Sequence, residues 1–362
     1  MAIRSLPTCP AKCVNQSTWW RLITRFAAVL FLWHSQLPWS MAETPAPATL
    51  RPILTVGAED GVGAEDATPR PLATEPDSLW FLSTRHMTTN VCRANLERPD
   101  FNVLRLDSCG RRSPASIEDF LAGDPTDIPV IYIHGNRRER EESVHRGLLI
   151  YRNVAAFSNE QTPKIRWLIW SWPSEQQGIL LRDVRIKANR TDSQGLYVAW
   201  LLRELANRGQ RPRMIGFSFG SRIITGSLHA LAGGKLAGRQ LPGAHLQGTN
   251  MVAGLLAPAI GDDWLCQNGY HGLATKNLAQ LTVLYNRRDI ILKRYPLLER
   301  GNEALGYQGP QGFATRFDGS PLPVRSRNCS QTVGRHHIER EYYSGPCNAG
   351  WNMHQMLTYE DL

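Results

Sequence analysis

Several absences narrow the reading of this 362-residue chain. Nowhere does it carry the Cys-x-x-Cys or Cys/His spacing of a zinc site, so zinc-centred chemistry is not expected. No aromatic-rich RNA-binding motif accompanies its basic residues. The formal charge of +9 comes mainly from arginines spread along the chain, which describes a solvated basic surface rather than a nucleic-acid groove. No apolar run approaches the roughly 20 residues that span a bilayer. No large internal repeat divides the chain, which leaves repeat architectures aside. What is present is 42% hydrophobic and 20% charged residues, enough to bury a core.

The first 42 residues stand apart. Arg4, Lys12, Arg21 and Arg25 precede the short apolar run Phe26 to Trp33, and small residues occupy the first and third positions of Ser40-Met41-Ala42. That pattern predicts a secretory signal peptide cleaved after Ala42, with an uncleaved anchor as the alternative. The mature protein is then expected outside the cytoplasm, periplasmic or extracellular, with no integral membrane segment. Residues 43–77 are rich in Pro, Ala, Gly, Glu and Asp and contain the near-repeat GAEDGVGAED, which predicts a flexible leader without a core. Cysteine is sparse. Five lie beyond the signal, and the neighbours Cys92 with Cys109 and Cys329 with Cys347 are the expected pairs in an oxidising compartment, with Cys266 left over and buried free thiols as the alternative.

From Ser78 onward apolar runs alternate with helical patterns. SLWFLSTR and FNVLRLD read as opening strands, and IPVIYIHG, Ile128 to Gly135, as a strand buried on both faces. A helix is expected around Glu142 to Phe157, a strand over Ile165 to Trp172, and an amphipathic helix over Leu196 to Gly209. RMIGFS, NMVAGLLAP and LTVLYN complete a series of strands. Strands alternating with helices predict an α/β fold, a mostly parallel sheet with helices on both faces, in one domain over residues 78–362. The four tryptophans at 167, 170, 172 and 200 fall at strand and helix spacings that make them core residues first.

Within that alternation, Gly216-Phe217-Ser218-Phe219-Gly220 sits where a strand ends and a helix begins. This is the setting of a nucleophile elbow, in which glycines flank a sharply turned serine so that strand and helix pack closely. Ser218 is therefore the candidate nucleophile. The Phe219 N–H at the helix start is a candidate oxyanion donor, helped by the helix dipole. A second donor is expected near Gly135, in the His134-Gly135-Asn136 turn after an earlier strand, with His134 shaping the turn.

The succession of strand, His-Gly loop, elbow serine, late acid and late histidine resembles the α/β-hydrolase superfamily, from about Ser78 to the C-terminus. The Trp-Pro-Ser within WSWPSE, Trp170 to Glu175, followed by Asp183, more narrowly resembles a bacterial α/β-hydrolase family of unknown function. Phe217 stands where that family commonly has histidine. The resemblance implies an α/β-hydrolase fold and the order serine, acid, histidine. Asp289, just beyond LTVLYN, is the expected acid, with Asp262 and Asp263 as competitors. His337 is the expected base, on a loop between a strand in PVRSRNCS and a closing helix begun by IEREYYSG, with His354 and His336 as competitors. The implied activity is that of an exported serine esterase that forms an acyl-enzyme on a small-molecule or lipid ester and requires no metal or organic cofactor. The rival from another class is a non-catalytic scaffold that binds a ligand or protein through the same pocket.

Overall fold

The computed structural model describes residues 77–177 and 180–359. The signal-like segment 1–42 and the leader up to residue 76 lie outside the described residues. Asp77, the last leader residue by sequence, is tied into the domain: its Oδ1 accepts the Ile165 N–H at 2.8 Å and its Oδ2 the Tyr151 hydroxyl at 2.8 Å.

Among the described residues nine strands form one sheet: β1 Ser78–Ser83, β2 Asn102–Leu106, β3 Arg112–Ala115, β4 Ile128–Ile133, β5 Ile165–Ser171, β6 Arg213–Phe217, β7 Met251–Leu256, β8 Leu278–Tyr285 and β9 Val324–Asn328. Their order is β3-β2-β1-β5-β4-β6-β7-β8-β9. All neighbours are parallel except β2 and β3, which extend one edge as an antiparallel meander. The helices are α1 Ile117–Leu121, α2 Arg140–Ala155, α3 Leu180–Asn207, α4 Phe219–Leu231, α5 Leu305–Gln308, α6 Ser330–Val333, α7 Glu339–Tyr342 and α8 Ala349–Leu357.

The chain runs from β4 through α2 to β5 on one side of β4, then through α3 to β6 on the other. Parallel crossovers are right-handed, so reversing the direction of travel moves the connecting helix to the opposite face. Accordingly α3 packs along α4, and α2 packs along α8. Coverage on both faces explains why β5 and β7 are buried throughout, and why Trp167, Trp170 and Trp172 are fully enclosed. The reversal also opens a crevice at the carboxyl ends of β4 and β6, where ligands bind in such sheets. Ser218 follows β6 and His134 follows β4.

The structure departs from the sequence expectations in four places. β3 has the sequence Arg-Ser-Pro-Ala, exposed and without an apolar run, so periodicity does not reveal it. α3 begins at Leu180, well before the amphipathic stretch at Leu196, because its first turns bury the charged pair Asp183 and Lys187 and so carry no apolar stripe. IEREYYSG yields only the single turn α7. The closing helix is α8, set off by Gly345-Pro346 and started by left-handed Asn348, whose side chain accepts the Trp351 N–H. Cys329 and Cys347 form a disulfide, whereas Cys109 is a free thiol and is not joined to Cys92. Cys92 lies in the β1–β2 connection and Cys109 in the β2–β3 turn, so β2, about 17 Å of extended chain, separates them.

Candidate active site

Ser218 occupies the tight turn between β6 and α4 with φ 53° and ψ −115°, a conformation that costs a non-glycine residue on the order of 1–3 kcal/mol. Its backbone is fixed from three sides. The Ser218 N–H donates to the Leu256 carbonyl at 2.9 Å, and the Ser218 carbonyl accepts from Ser221 at 3.1 Å and Ala259 at 3.3 Å. The flanking glycines are required by close approach. A Cβ on Gly220 would lie 2.0 Å from the Ile133 carbonyl oxygen, and one on Gly216 would lie 2.7 Å from the Ser221 nitrogen. Gly135 is under a related constraint, since a Cβ there would come 2.8 Å from the Phe217 ring.

The Trp-Pro-Ser that drew attention in the sequence, Trp172-Pro173-Ser174, templates the loop after β4. The Trp172 indole donates to the His134 carbonyl at 2.9 Å and stacks on the His134 ring, centroids 5.8 Å apart. Ser174 accepts the Arg138 N–H at 3.1 Å and donates to the Arg138 carbonyl at 3.0 Å, while its own carbonyl accepts the Arg137 N–H at 2.9 Å. His134 is fully buried and its Nδ1 donates to the Gly135 carbonyl at 2.8 Å. Burial, reinforced by Arg85, lowers its pKa to about 3, so its ring stays neutral as a loop support. A trans peptide then directs the Asn136 N–H away from the Gly135 carbonyl. Asp183 completes the brace: its side chain, buried on α3, accepts from Lys187 Nζ at 2.6 Å and from Arg137 Nε at 3.4 Å.

The structure brings Ser218, His337 and Asp289 into one hydrogen-bonded line. His337 Nε2 lies 2.9 Å from Ser218 Oγ, and His337 Nδ1 lies 2.6 Å from Asp289 Oδ2. A carboxylate oxygen accepts only, so Nδ1 carries the proton and the Nε2 lone pair faces the serine hydroxyl. The Asp289 side chain is fully buried, and its other oxygen accepts the N–H groups of Ile291 and Leu292, each at 2.9 Å. Phe217 packs on the His337 ring with centroids 4.9 Å apart.

The competitors lie elsewhere. His354 sits on α8 beside the Phe157 ring, and the exposed His336 bonds Glu341 at 3.1 Å. The Asp262 N–H pairs with the Glu303 carbonyl, and Asp263 accepts from the Asn302 amide. Phe219 opens α4 as its first residue. The first N–H groups of a helix have no intrahelical partner, which leaves this one at the elbow.

Three groups support the line from Ser218 to Asp289, and only one of them, the Cys329–Cys347 pair, was expected from the sequence. Asn286, fully buried, accepts the Arg288 N–H at 2.9 Å and donates to the Gly334 carbonyl at 2.8 Å, joining the loop of the acid to the loop of the histidine. The Cys329–Cys347 disulfide, spanning 18 residues, closes the segment that contains His337. Glu339, 1% exposed, accepts the Tyr132 hydroxyl with both oxygens at 3.0 Å, and burial pushes its carboxyl up to about 7. Of these only the cysteine spacing left a trace in the sequence. An asparagine and a glutamate acting across loops have no local signature.

The sheet order, the strained serine after β6 and the acid and histidine loops after β8 and β9 define an α/β-hydrolase fold. Among solved structures the chain is similar to an inhibited esterase B from Lactobacillus rhamnosis, at 12% identity, 71% coverage of this chain, 80% of that one and a TM-score of 0.36. It is also similar to acyl-protein thioesterase 2 of Zea mays, at 13% identity, 65% and 96% coverage and a TM-score of 0.35. A third is carboxyl esterase 2 from Tuber melanosporum, at 13% identity, 71% and 81% coverage and a TM-score of 0.33. These likenesses are distant, and neither the fold nor the reading of the site rests on them. No family model matches the chain, and no curated protein matches it in sequence.

Proposed function

We propose that this chain is an exported serine hydrolase that cleaves carboxylic esters through an acyl-enzyme on Ser218. The observation that carries the reading is the hydrogen-bonded line from Ser218 Oγ through His337 to the buried Asp289. His337 Nε2 takes the hydroxyl proton as Oγ attacks the ester carbonyl carbon, and returns it to the leaving alcohol as the tetrahedral intermediate collapses. Asp289 holds the imidazole and stabilises the imidazolium. Water then repeats the sequence on the acyl-enzyme and releases the acid. The developing oxyanion is held by the Phe219 N–H at the start of α4 and by the amide between Gly135 and Asn136. With the Gly135 carbonyl drawn toward His134, the Asn136 N–H is the donor that this loop offers. Loss of a single such donor typically lowers kcat about 100- to 1,000-fold. Esters are favoured as substrates by analogy with the fold, and the signal-like segment 1–42 together with the Cys329–Cys347 disulfide supports an oxidising, exported setting.

The test is labelling of the purified protein by a fluorophosphonate probe. We expect wild type to label, and Ser218→Ala and His337→Ala to lose labelling while His354→Ala keeps it. A folded wild type that does not label would overturn the reading in favour of a non-catalytic ligand-binding scaffold.

A further inference from the structure

Beside the candidate acid, the chain turns several large apolar side chains outward. Asp289 is followed by a 3-10 turn, Leu292–Leu297, whose start it caps through the Ile291 and Leu292 N–H groups. Residues three apart eclipse one another in a 3-10 helix. The inner row, Leu292 and Tyr295, is buried, while the outer row is Ile291, Arg294 and Leu297, all exposed. Ile290, Ile291 and Leu297 stand 39%, 52% and 53% exposed, three of the eight large apolar side chains that are exposed among the described residues. A fourth, Leu181 at 40%, is on the first turns of α3, which reach the same turn where Arg185 donates to the Leu297 carbonyl at 3.1 Å.

Along this segment itself the exposed charges have one sign, and the exposed acid beside it, Asp263, is held by the Asn302 amide. Between residues 287 and 300 every exposed ionisable group is a cation: Arg287, Arg288, Lys293, Arg294 and Arg300. The two acids of the segment are engaged inward, Asp289 with His337 and Glu299 with the buried Arg222. From α3, Arg182 and Arg185 add exposed cations on the same side. Apolar side chains interleaved with cations match a surface that is apolar beneath an anionic layer, which is the chemistry of an anionic lipid interface.

We infer that the outer row of this turn, with the first turns of α3, is a docking surface for anionic lipid. It would bring the segment that follows Asp289 against a bilayer and make lipid-borne esters the substrate class. The substrate part rests on the hydrolase reading. The docking part stands on the patch alone.

The experiment is cosedimentation of the full chain with vesicles of phosphatidylglycerol and phosphatidylcholine in equal parts, or of phosphatidylcholine alone. Wild type is expected to partition at least tenfold more strongly onto the anionic vesicles, with the advantage shrinking in 0.5 M salt as the charges are screened. Lys293→Glu with Arg294→Glu, and separately Leu181→Asp with Leu297→Asp, should each lower that partition about tenfold or more. Retained fluorophosphonate labelling and an unchanged thermal midpoint would show that these variants are folded. Ser218→Ala should bind vesicles as wild type does, so loss of the hydrolase reading and loss of the docking reading are separable results. Equal partition onto both vesicle types, absence of wild-type binding, or binding that survives both double substitutions, as it would if residues 26–33 carried it, overturns the proposal.

Discussion

At the residue scale, the elbow shows how backbone geometry dictates sequence. Ser218 takes a strained left-handed φ of 53°, and the strain is tolerated because β7, the loop after it and the start of α4 each hold one of its backbone groups. Gly220 is the position with the least freedom, since any Cβ there meets the β4 backbone at 2.0 Å. A side-chain tip can rotate away from such a clash, whereas a carbonyl in the central sheet cannot. Gly220→Ala is therefore expected to destabilise by about 3 kcal/mol or more, seen as a fall in thermal midpoint of roughly 5 °C or more. Gly312→Ala, where a Cβ meets nothing within 4 Å, is the control and should change stability by less than about 0.5 kcal/mol. Equal midpoints for the two variants would refute the steric account. The tight turn of the pentapeptide was legible in the sequence because two glycines and a strand-to-helix junction are local features. The partners that hold its strain come from β7 and the residues after it, and no local pattern announces them.

At the element scale, the loop between β9 and α8 presents His337, and it is held at its base by a disulfide, in its middle by Asn286 and beyond the histidine by Glu339. Its expected place between a last strand and a closing helix was readable from order along the chain. Its internal form was not: the apparent helix in IEREYYSG is one turn, because burying Glu339 and Tyr342 beneath the loop sets the local path rather than helical propensity. In the chain-entropy picture, opening a loop of this length by removing its cross-link costs about 3 kcal/mol. Cys329→Ala with Cys347→Ala should lower stability by roughly that amount. It should also slow probe labelling of Ser218 more than substitution of the free Cys109 does, since only the former frees the segment that contains the histidine. Labelling at the wild-type rate in the double variant would show that Asn286 and Glu339 suffice to position His337. The failed pairing of Cys92 with Cys109 belongs at this scale too, since separation along the chain is a poor guide once a strand lies between two residues.

At the scale of the whole molecule, buried ionisable groups shape how stability follows pH, four of them with large shifts and the fully buried His271 lowered in the same sense as the other histidines. Burial raises the carboxyls of Glu339 to about 7 and Asp192 to about 6, from ordinary values of 4.5 and 3.8. It lowers the imidazoles of His134 to about 3 and His229 to about 4, from 6.5. For the carboxyls, both states are protonated at low pH. As pH climbs past the unfolded value, the unfolded chain sheds protons that the folded chain retains, so stability is lost until the folded value is passed. For the histidines, both states are neutral above 6.5. As pH falls below it, the unfolded chain gains protons that the folded chain refuses, so stability is lost in the opposite direction. The two pairs oppose one another between about 4.5 and 6, which flattens the profile there, and Glu339 alone continues its decline toward 7. Glu339→Gln keeps an acceptor for the Tyr132 hydroxyl and removes the ionisation. Relative to wild type it should gain stability steadily from about pH 5 to about pH 7, by up to on the order of 3 kcal/mol, and then level off. Denaturant titrations of both proteins at pH 5, 6, 7 and 8 read this difference directly. A constant difference across the series would mean that Glu339 ionises alike in the folded and unfolded chain, and that its bond to Tyr132 is made by a carboxylate at every pH.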